Sequence, residues 1–189
     1  MKVVAINGSP RKNGNTSIMI KKVFSELEAE GIETEMIQLG GNLVHGCTGC
    51  RKCAENKDKE CVIKDTVNDC IKKMVEADGI IVGSPTYVAN VSTEVKALID
   101  RATVVGRSNN QMYKNKVGAS LVAVRRAGAV NVFSAINYLF FISEMIVPGS
   151  TYWNLGIGGA VGQVEEDLEG MNNMTNLGKN IAWLLKKIV

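Results

Sequence analysis

The stretch "VVAINGSPRKNGNTSIMIKKVFSELEAEG", Val3 to Gly31, decides the fold. Val3 to Ile6 is a short unbroken apolar run, the pattern of a strand buried on both faces in a parallel sheet. From Thr16 to Glu30 the apolar residues recur at helical spacing. Ile20, Val23, Phe24 and Leu27 share one face, and Gly31 follows as the C′ residue. The turn between them, "NGSPRKNGNTS" from Asn7 to Ser17, combines glycines, hydroxyls, a basic residue and a helix start. Backbone N–H groups at a helix N-terminus, with hydroxyl donors beside them, make an anion site. Ser9, Asn15, Thr16 and Ser17 can donate hydrogen bonds, and Arg11 can pair with phosphate. The turn is not a P-loop, because Asn15 follows Gly14 where a Lys-Ser/Thr pair would stand, and G-x-G-x-x-G is absent. A phosphate site with neither the P-loop lysine nor a magnesium ligand points to a bound cofactor more than to a hydrolysed nucleotide. The competing reading is a polar strand-to-helix turn that binds nothing.

The alternation continues along the chain. Thr34 to Leu39 reads as a strand, Thr66 to Ala77 as a helix, and Gly79 to Val82 as a strand. Ser92 can cap a helix carrying Val95, Leu98 and Ile99. Lys116 to Val124 is the fourth strand and Val132 to Met145 a helix. A short strand is expected near Ile146 and Val147, and a closing helix from about Asp167 to Lys187. This order argues for an open parallel sheet with helices on both faces, a single domain over residues 1–189 with a cysteine-rich loop at 40–65. Ligands of such sheets bind outside the carboxyl ends of the strands. After the third strand stands "GSPTYVANVS", Gly83 to Ser92, where Pro85 stiffens the turn and Tyr87 can line a flat heteroaromatic ring. After the fourth stands "VRRAGAVN", Val124 to Asn131. There Arg125 and Arg126 can face an anionic cofactor edge or a nicotinamide phosphate, or form a solvated basic turn.

The formal charge over 189 residues is +3, with both signs interspersed, which gives no case for nucleic acid or an anionic membrane as partner. The N-terminal apolar run is too short for a signal-peptide core. The longest apolar stretch, Val132 to Val147, is interrupted by Asn137 and Glu144 and is shorter than a bilayer span. The expectation is a cytoplasmic protein whose thiols stay reduced.

Four of the five cysteines lie in "CTGCRKCAENKDKEC", Cys47 to Cys61. Cys47, Cys50 and Cys53 form C-x2-C-x2-C, and Cys61 follows after seven residues. Three thiolates from one loop suit a cubane, where each binds a different iron. Gly46 and Gly49 ease the tight backbone that this requires. Structural zinc more often uses two separated Cys pairs. Bare thiols or a disulfide form the third alternative. Cys70 falls among the apolar positions of the helix from Thr66 and reads as a small buried thiol. His45, the single histidine, reads as an exposed loop residue, with a substitute ligand or a proton donor near a bound cofactor as the alternatives. Tyr152 and Trp153, before the Gly-rich "NLGIGGAVG", offer a cover for a bound cofactor, a subunit contact or ordinary packing.

Together "NGSPRKNGNTS", "GSPTY" and "CTGCRKC…C" resemble the flavodoxin-like NAD(P)H-dependent FMN reductases, and more narrowly the iron–sulfur flavoproteins of anaerobic microbes. The resemblance implies a doubly wound five-stranded parallel sheet in a three-layer α/β/α arrangement, with FMN at the carboxyl ends of the strands. By position, Ser9, Arg11, Asn15, Thr16 and Ser17 would hold the FMN phosphate, and Pro85, Thr86 and Tyr87 would flank the isoalloxazine. Arg125, Arg126, Ala127 and Gly128 would approach the far edge of the ring. Cys47, Cys50, Cys53 and Cys61 would bind a [4Fe–4S] cluster, although the gap before Cys61 is longer than is usual in that family. The implied function is an oxidoreductase passing electrons between a reduced donor and an acceptor, with NAD(P)H, a quinone or a ferredoxin as candidate partners. A cluster-free NAD(P)H-dependent FMN or quinone reductase, and a flavodoxin-like carrier or redox sensor, are the alternatives. A homodimer or homotetramer is also implied, with Tyr138, Phe140, Phe141 and Trp153 as candidate contact residues.

Overall fold

The computed structural model describes residues 1–189. Five strands, β1 (Lys2–Asn7), β2 (Glu33–Gln38), β3 (Gly79–Pro85), β4 (Val117–Val124) and β5 (Leu155–Ile157), form one parallel sheet in the order β2-β1-β3-β4-β5. Six α-helices accompany them: α1 (Asn15–Ala29), α2 (Lys52–Asn56), α3 (Thr66–Glu76), α4 (Thr93–Ser108), α5 (Ala129–Ile142) and α6 (Leu168–Ile188). Alternate residues of a strand face opposite sides, so β1 divides its apolar run between two cores. Val3 and Ala5 pack with Met19, Ile20 and Val23 of α1 and Leu177 and Ile181 of α6. Val4 and Ile6 pack with Val67 and Ile71 of α3, Leu98 of α4 and Phe140 of α5. Strands buried on both faces explain why their sequences run apolar without alternation.

Two expectations are corrected. The fifth strand is Leu155–Ile157, and Ile146 makes only an isolated parallel bridge to Val117. The edge beside β4 is thus filled in two pieces. Ile146 pairs at the start of β4, and Leu155 to Ile157 pair with Val122 to Val124 at its end. Pro148 lies between them and cannot donate to a ladder. Phe140 is fully buried in the core and offers nothing to a subunit contact, whereas Tyr138, Phe141 and Trp153 are exposed. No helix is long and apolar enough to cross a membrane.

The strand order reverses between β1 and β3, since the chain leaves β1 for β2 on one side and enters β3 on the other. At this switch point the two turns touch. The Gly8 N–H donates to the Gly83 carbonyl at 2.8 Å, and Ser92 Oγ donates to the Gly8 carbonyl at 2.9 Å. A Cβ at Gly8 would meet Val95 Cγ2 at 2.1 Å and the Gly83 oxygen at 2.8 Å, so only glycine fits.

Candidate functional site

Past the carboxyl ends of β1, β3, β4 and β5 lies a cleft lined by Ser9, Arg11, Asn15, Thr16, Pro85, Thr86, Tyr87, Ala123, Arg125, Gly158 and Gly159. Eight of the sequence-predicted residues meet there, from three separate loops. The N-terminus of α1 opens onto it: its N-cap is Gly14, which supplies no side-chain cap, and its first turn has no acidic residue. The first N–H groups of such a helix have no intrahelical acceptor and attract an anion. Asn7 shapes the turn, with its Oδ1 accepting from the Ser9 N–H at 3.1 Å and its Nδ2 donating to Gln38 at 2.8 Å. No carboxylate lines the cleft, and Arg11, Arg125 and Arg126 form no ion pair. Thr86 Oγ1 is buried without a hydrogen-bond partner. Uncapped N–H groups, unpaired guanidinium groups and an orphaned hydroxyl suit a ligand that carries a phosphate and further polar acceptors.

The remaining predicted residues lie differently. The Ser17 hydroxyl is buried and donates to the Gly14 carbonyl at 2.8 Å. Arg126, Ala127 and Gly128 stand outside the lining, with Gly128 at φ +90° as the N-cap of α5. The side chain of Asn15 is engaged with the loop after β5: it donates to the Gly158 and Ala160 carbonyls at 2.9 Å and accepts from the Gly162 N–H at 2.9 Å. It fixes Gly158 and Gly159 as the far wall of the cleft. Tyr152 and Trp153 line a separate cavity with Asp167 and Glu169.

Tyr87 is presented by a two-residue hairpin, in which Tyr87 and Asn90 exchange both backbone bonds at 2.9 Å. Val88 and Ala89 take φ +49° and +56°. Turns with two left-handed central residues favour Asn-Gly, and a β-branched residue is strained there. Val88 is fully exposed and makes no compensating contact through burial. Val88→Asn is expected to stabilise the protein by about 1 kcal/mol, read as a raised melting temperature. An unchanged or lower temperature would show that this turn is not strained.

A second cavity, of about 280 Å³, lies on the α4 side of the sheet and is lined by Cys47, Cys50, Cys53 and Cys61 together with Thr48, Gly49, Arg51, Val62, Arg101, Val104 and Val105. All four clustered cysteines face it, and Cys70 does not. They form no disulfide and are not drawn in to a metal-binding group. Cys47 and Cys50 are exposed, and Cys53 and Cys61 are buried. A backbone bond from Lys52 and the Thr48 side chain hold the Cys50 thiol below its ordinary pKa, while burial raises Cys53. Burial pushes Cys70 up to about 12, so it stays a neutral thiol.

The segment that carries the cysteines is irregular, with Gly49, Arg51, Lys57 and Lys59 at positive φ. Polar side chains from neighbouring helices hold it. Asn68 of α3 accepts from the Cys61 N–H at 2.9 Å and donates to the Cys61 carbonyl at 2.8 Å. Asn109 accepts from the Lys59 N–H at 3.1 Å and donates to the Cys53 carbonyl at 3.3 Å. Asp65 caps α3 and accepts from the His45 N–H at 3.0 Å. Burial pushes the Asp65 carboxyl up, but bonds from Arg101, His45 and Val67 outweigh it and hold the group below its usual value. These supports were not readable in the sequence. The His45 ring is exposed and lies against the Gly46 carbonyl.

A doubly wound parallel sheet with a cleft at its switch point defines a flavodoxin-like protein. Solved structures agree on the fold: a WrbA-like flavodoxin of Agrobacterium tumefaciens is similar at TM-score 0.69 and 17% identity, covering 100% of this chain and 98% of that one. A flavodoxin from the domain Archaea is similar at TM-score 0.64 and 17% identity, covering 98% and 99%. The family model described as NADPH-dependent FMN reductase matches residues 1–160. An iron-sulfur flavoprotein of Methanocaldococcus jannaschii is 40% identical over 195 residues, covering 100% of this chain and 99% of the relative. One of Methanosarcina thermophila is 34% identical over 192 residues, covering 100% and 97%. The chain belongs to the NADPH-dependent FMN reductase family, alongside its iron–sulfur flavoproteins, and is an FMN-containing oxidoreductase.

Proposed function

We propose that the chain is an iron–sulfur flavoprotein that passes electrons between a reduced donor and an acceptor, using FMN in the switch-point cleft and a [4Fe–4S] cluster on the four clustered cysteines. The observation that carries the proposal is the convergence of Cys47, Cys50, Cys53 and Cys61 on one cavity, with Cys70 excluded. The donor set has the chemistry of a cubane site, four soft thiolates from one segment. The α1 N-terminus, Ser9, Arg11 and Thr16 would hold the FMN phosphate. Pro85, Thr86 and Tyr87 would border the ring, and Arg125 would face its polar edge or an incoming nicotinamide phosphate. FMN supplies a centre that takes up two electrons and releases them singly. The chain's own residues bind it, fix its orientation and set the polarity around it. Exposed Tyr138, Phe141 and Trp153 are the surfaces through which copies of the chain would associate.

Cys47 and Cys50 are exposed and all four thiols are free, which suits a second reading, an FMN or quinone reductase with four free thiols. One preparation separates the two. Protein purified without oxygen is expected to release one FMN per chain on denaturation and to carry acid-labile sulfide and iron in equal amounts. FMN without iron or sulfide would make the cluster-free reductase the correct account.

A further inference from the structure

The cysteine cavity holds a fully buried cation that lies outside the cysteine segment. Arg101, in the middle of α4, lines the cavity, and its side chain is 0% exposed. Nη1 donates to both carboxylate oxygens of Asp65, at 2.7 and 2.6 Å, and to the His45 carbonyl at 3.1 Å. Nη2 donates to the Ile63 carbonyl at 2.6 Å. Nε is buried and has no acceptor. A guanidinium is charged at every accessible pH, and a buried charged donor without a partner is costly.

The partners of Arg101 are placed tellingly. His45 stands two residues before Cys47, and Ile63 two residues after Cys61. One side chain therefore ties both ends of the cysteine segment to α4 and keeps one donor unpartnered in a residue that lines the cysteine cavity. The bland alternative is an interhelical tie with no bearing on the cavity. It accounts for the bonds to Asp65 and Ile63 but not for the orphaned Nε in a residue that lines the cavity.

We propose that Arg101 is the positioning and charge-balancing residue of the four-cysteine centre. It closes the segment through His45, Ile63 and Asp65, and its guanidinium faces the anionic sulfur with Nε–H as the free donor. The proposal rests on the cluster assignment. A cubane on four thiolates is net negative, and each added electron makes it more so by one charge. A buried cation beside it favours the reduced form, and Asp65 partly cancels that effect. The two residues must then act on the reduction potential in opposite directions. A tie that serves structure alone gives no such opposition.

The test compares wild type with Arg101→Gln, Asp65→Asn and the double variant, each purified and reconstituted with iron and sulfide without oxygen. FMN content and circular dichroism verify folding, since the flavin cleft shares no residue with the cysteine cavity. A dithionite titration then gives each midpoint potential. In Arg101→Gln the oxidised-to-reduced ratio at the wild-type midpoint is expected to rise about tenfold. In Asp65→Asn it is expected to fall, and the double variant to lie between the two. In metal-free protein, Arg101→Gln is expected to speed alkylation of Cys53 and Cys61 by about tenfold as the segment loosens. Shifts of the same sign in both single variants, or none, overturn the proposal. Wild type that takes up no iron overturns the cluster assignment, and this proposal with it. Loaded wild type with unshifted variants overturns the role of Arg101 alone. Should Arg101→Gln fail to fold, Arg101→Lys tests the positioning half: its point charge lacks the planar fork that spans His45, Ile63 and Asp65, so alkylation is expected to speed while the potential stays near wild type, and unchanged alkylation overturns the proposal.

Discussion

Replacing Ser9 and Arg11 together by alanine is expected to yield folded protein with almost no bound flavin. Ser9 is buried at the floor of the first turn, and its Oγ accepts from the Arg11 N–H at 3.2 Å. Arg11 is exposed and has no carboxylate partner, so nothing in the protein competes with a phosphate for it. A charged hydrogen bond is worth about 1.5–3 kcal/mol and a neutral one about 1 kcal/mol. Their joint loss corresponds to roughly 10²–10³-fold weaker binding. Fluorescence titration of the apoprotein with FMN measures the change directly. The N–H groups at the start of α1 remain in the variant, so binding should weaken without vanishing at high FMN. Arg11→Ala alone keeps the Ser9 hydroxyl and should show most, but not all, of the loss. Unchanged affinity in the double variant would place the phosphate elsewhere.

Much of this site was legible because its signals are local. The apolar run Val3–Ile6, the donor-rich turn and the helix behind it are contiguous, and each carries its own period. The glycines of the far wall were not assigned, because Gly158 and Gly159 are held by Asn15 across more than 140 residues of sequence. Read from sequence, Asn15 looked like a donor to the ligand. Its amide in fact shapes the cleft, and only its position at the start of α1 was evident. The fifth strand lies elsewhere than expected, at Leu155–Ile157 and not at Ile146 and Val147, for a related reason. Ile146 and Val147 have the stronger β-propensity, but the three-residue β5 takes its conformation from its neighbour β4, and its own sequence gives little sign of it. The cysteines announced themselves by spacing. The residues that support them, Asn68, Asn109 and Arg101, come from other elements, and polar residues in helices carry no periodic signal of what they will meet.

Serine in place of Cys53 is expected to remove the iron from the protein while leaving FMN bound. Cys53 is one of the two buried thiols of the four. It sits in the short helix α2, and its carbonyl is held by Asn109. Serine is nearly isosteric but a far poorer ligand for iron, so the fold is retained and the site is not. Iron and sulfide should fall together by about tenfold or more, with loss of the broad visible absorption. Cys47→Ser and Cys50→Ser are expected to do the same. Cys61→Ser is the most informative member of the series, because seven residues separate Cys61 from Cys53. Its backbone is clasped on both sides by Asn68, and it lines the same cavity as the other three, so under the proposed cluster it is the expected fourth ligand. Full iron content in Cys61→Ser would transfer that place to another group. Cys70→Ser should leave iron, sulfide and flavin at wild-type levels, since that thiol is buried, neutral at physiological pH and outside the cavity. The flavin is the internal control throughout, since the two cavities share no residue. A variant that lost both cofactors would report on folding, and one that lost iron alone reports on the ligand.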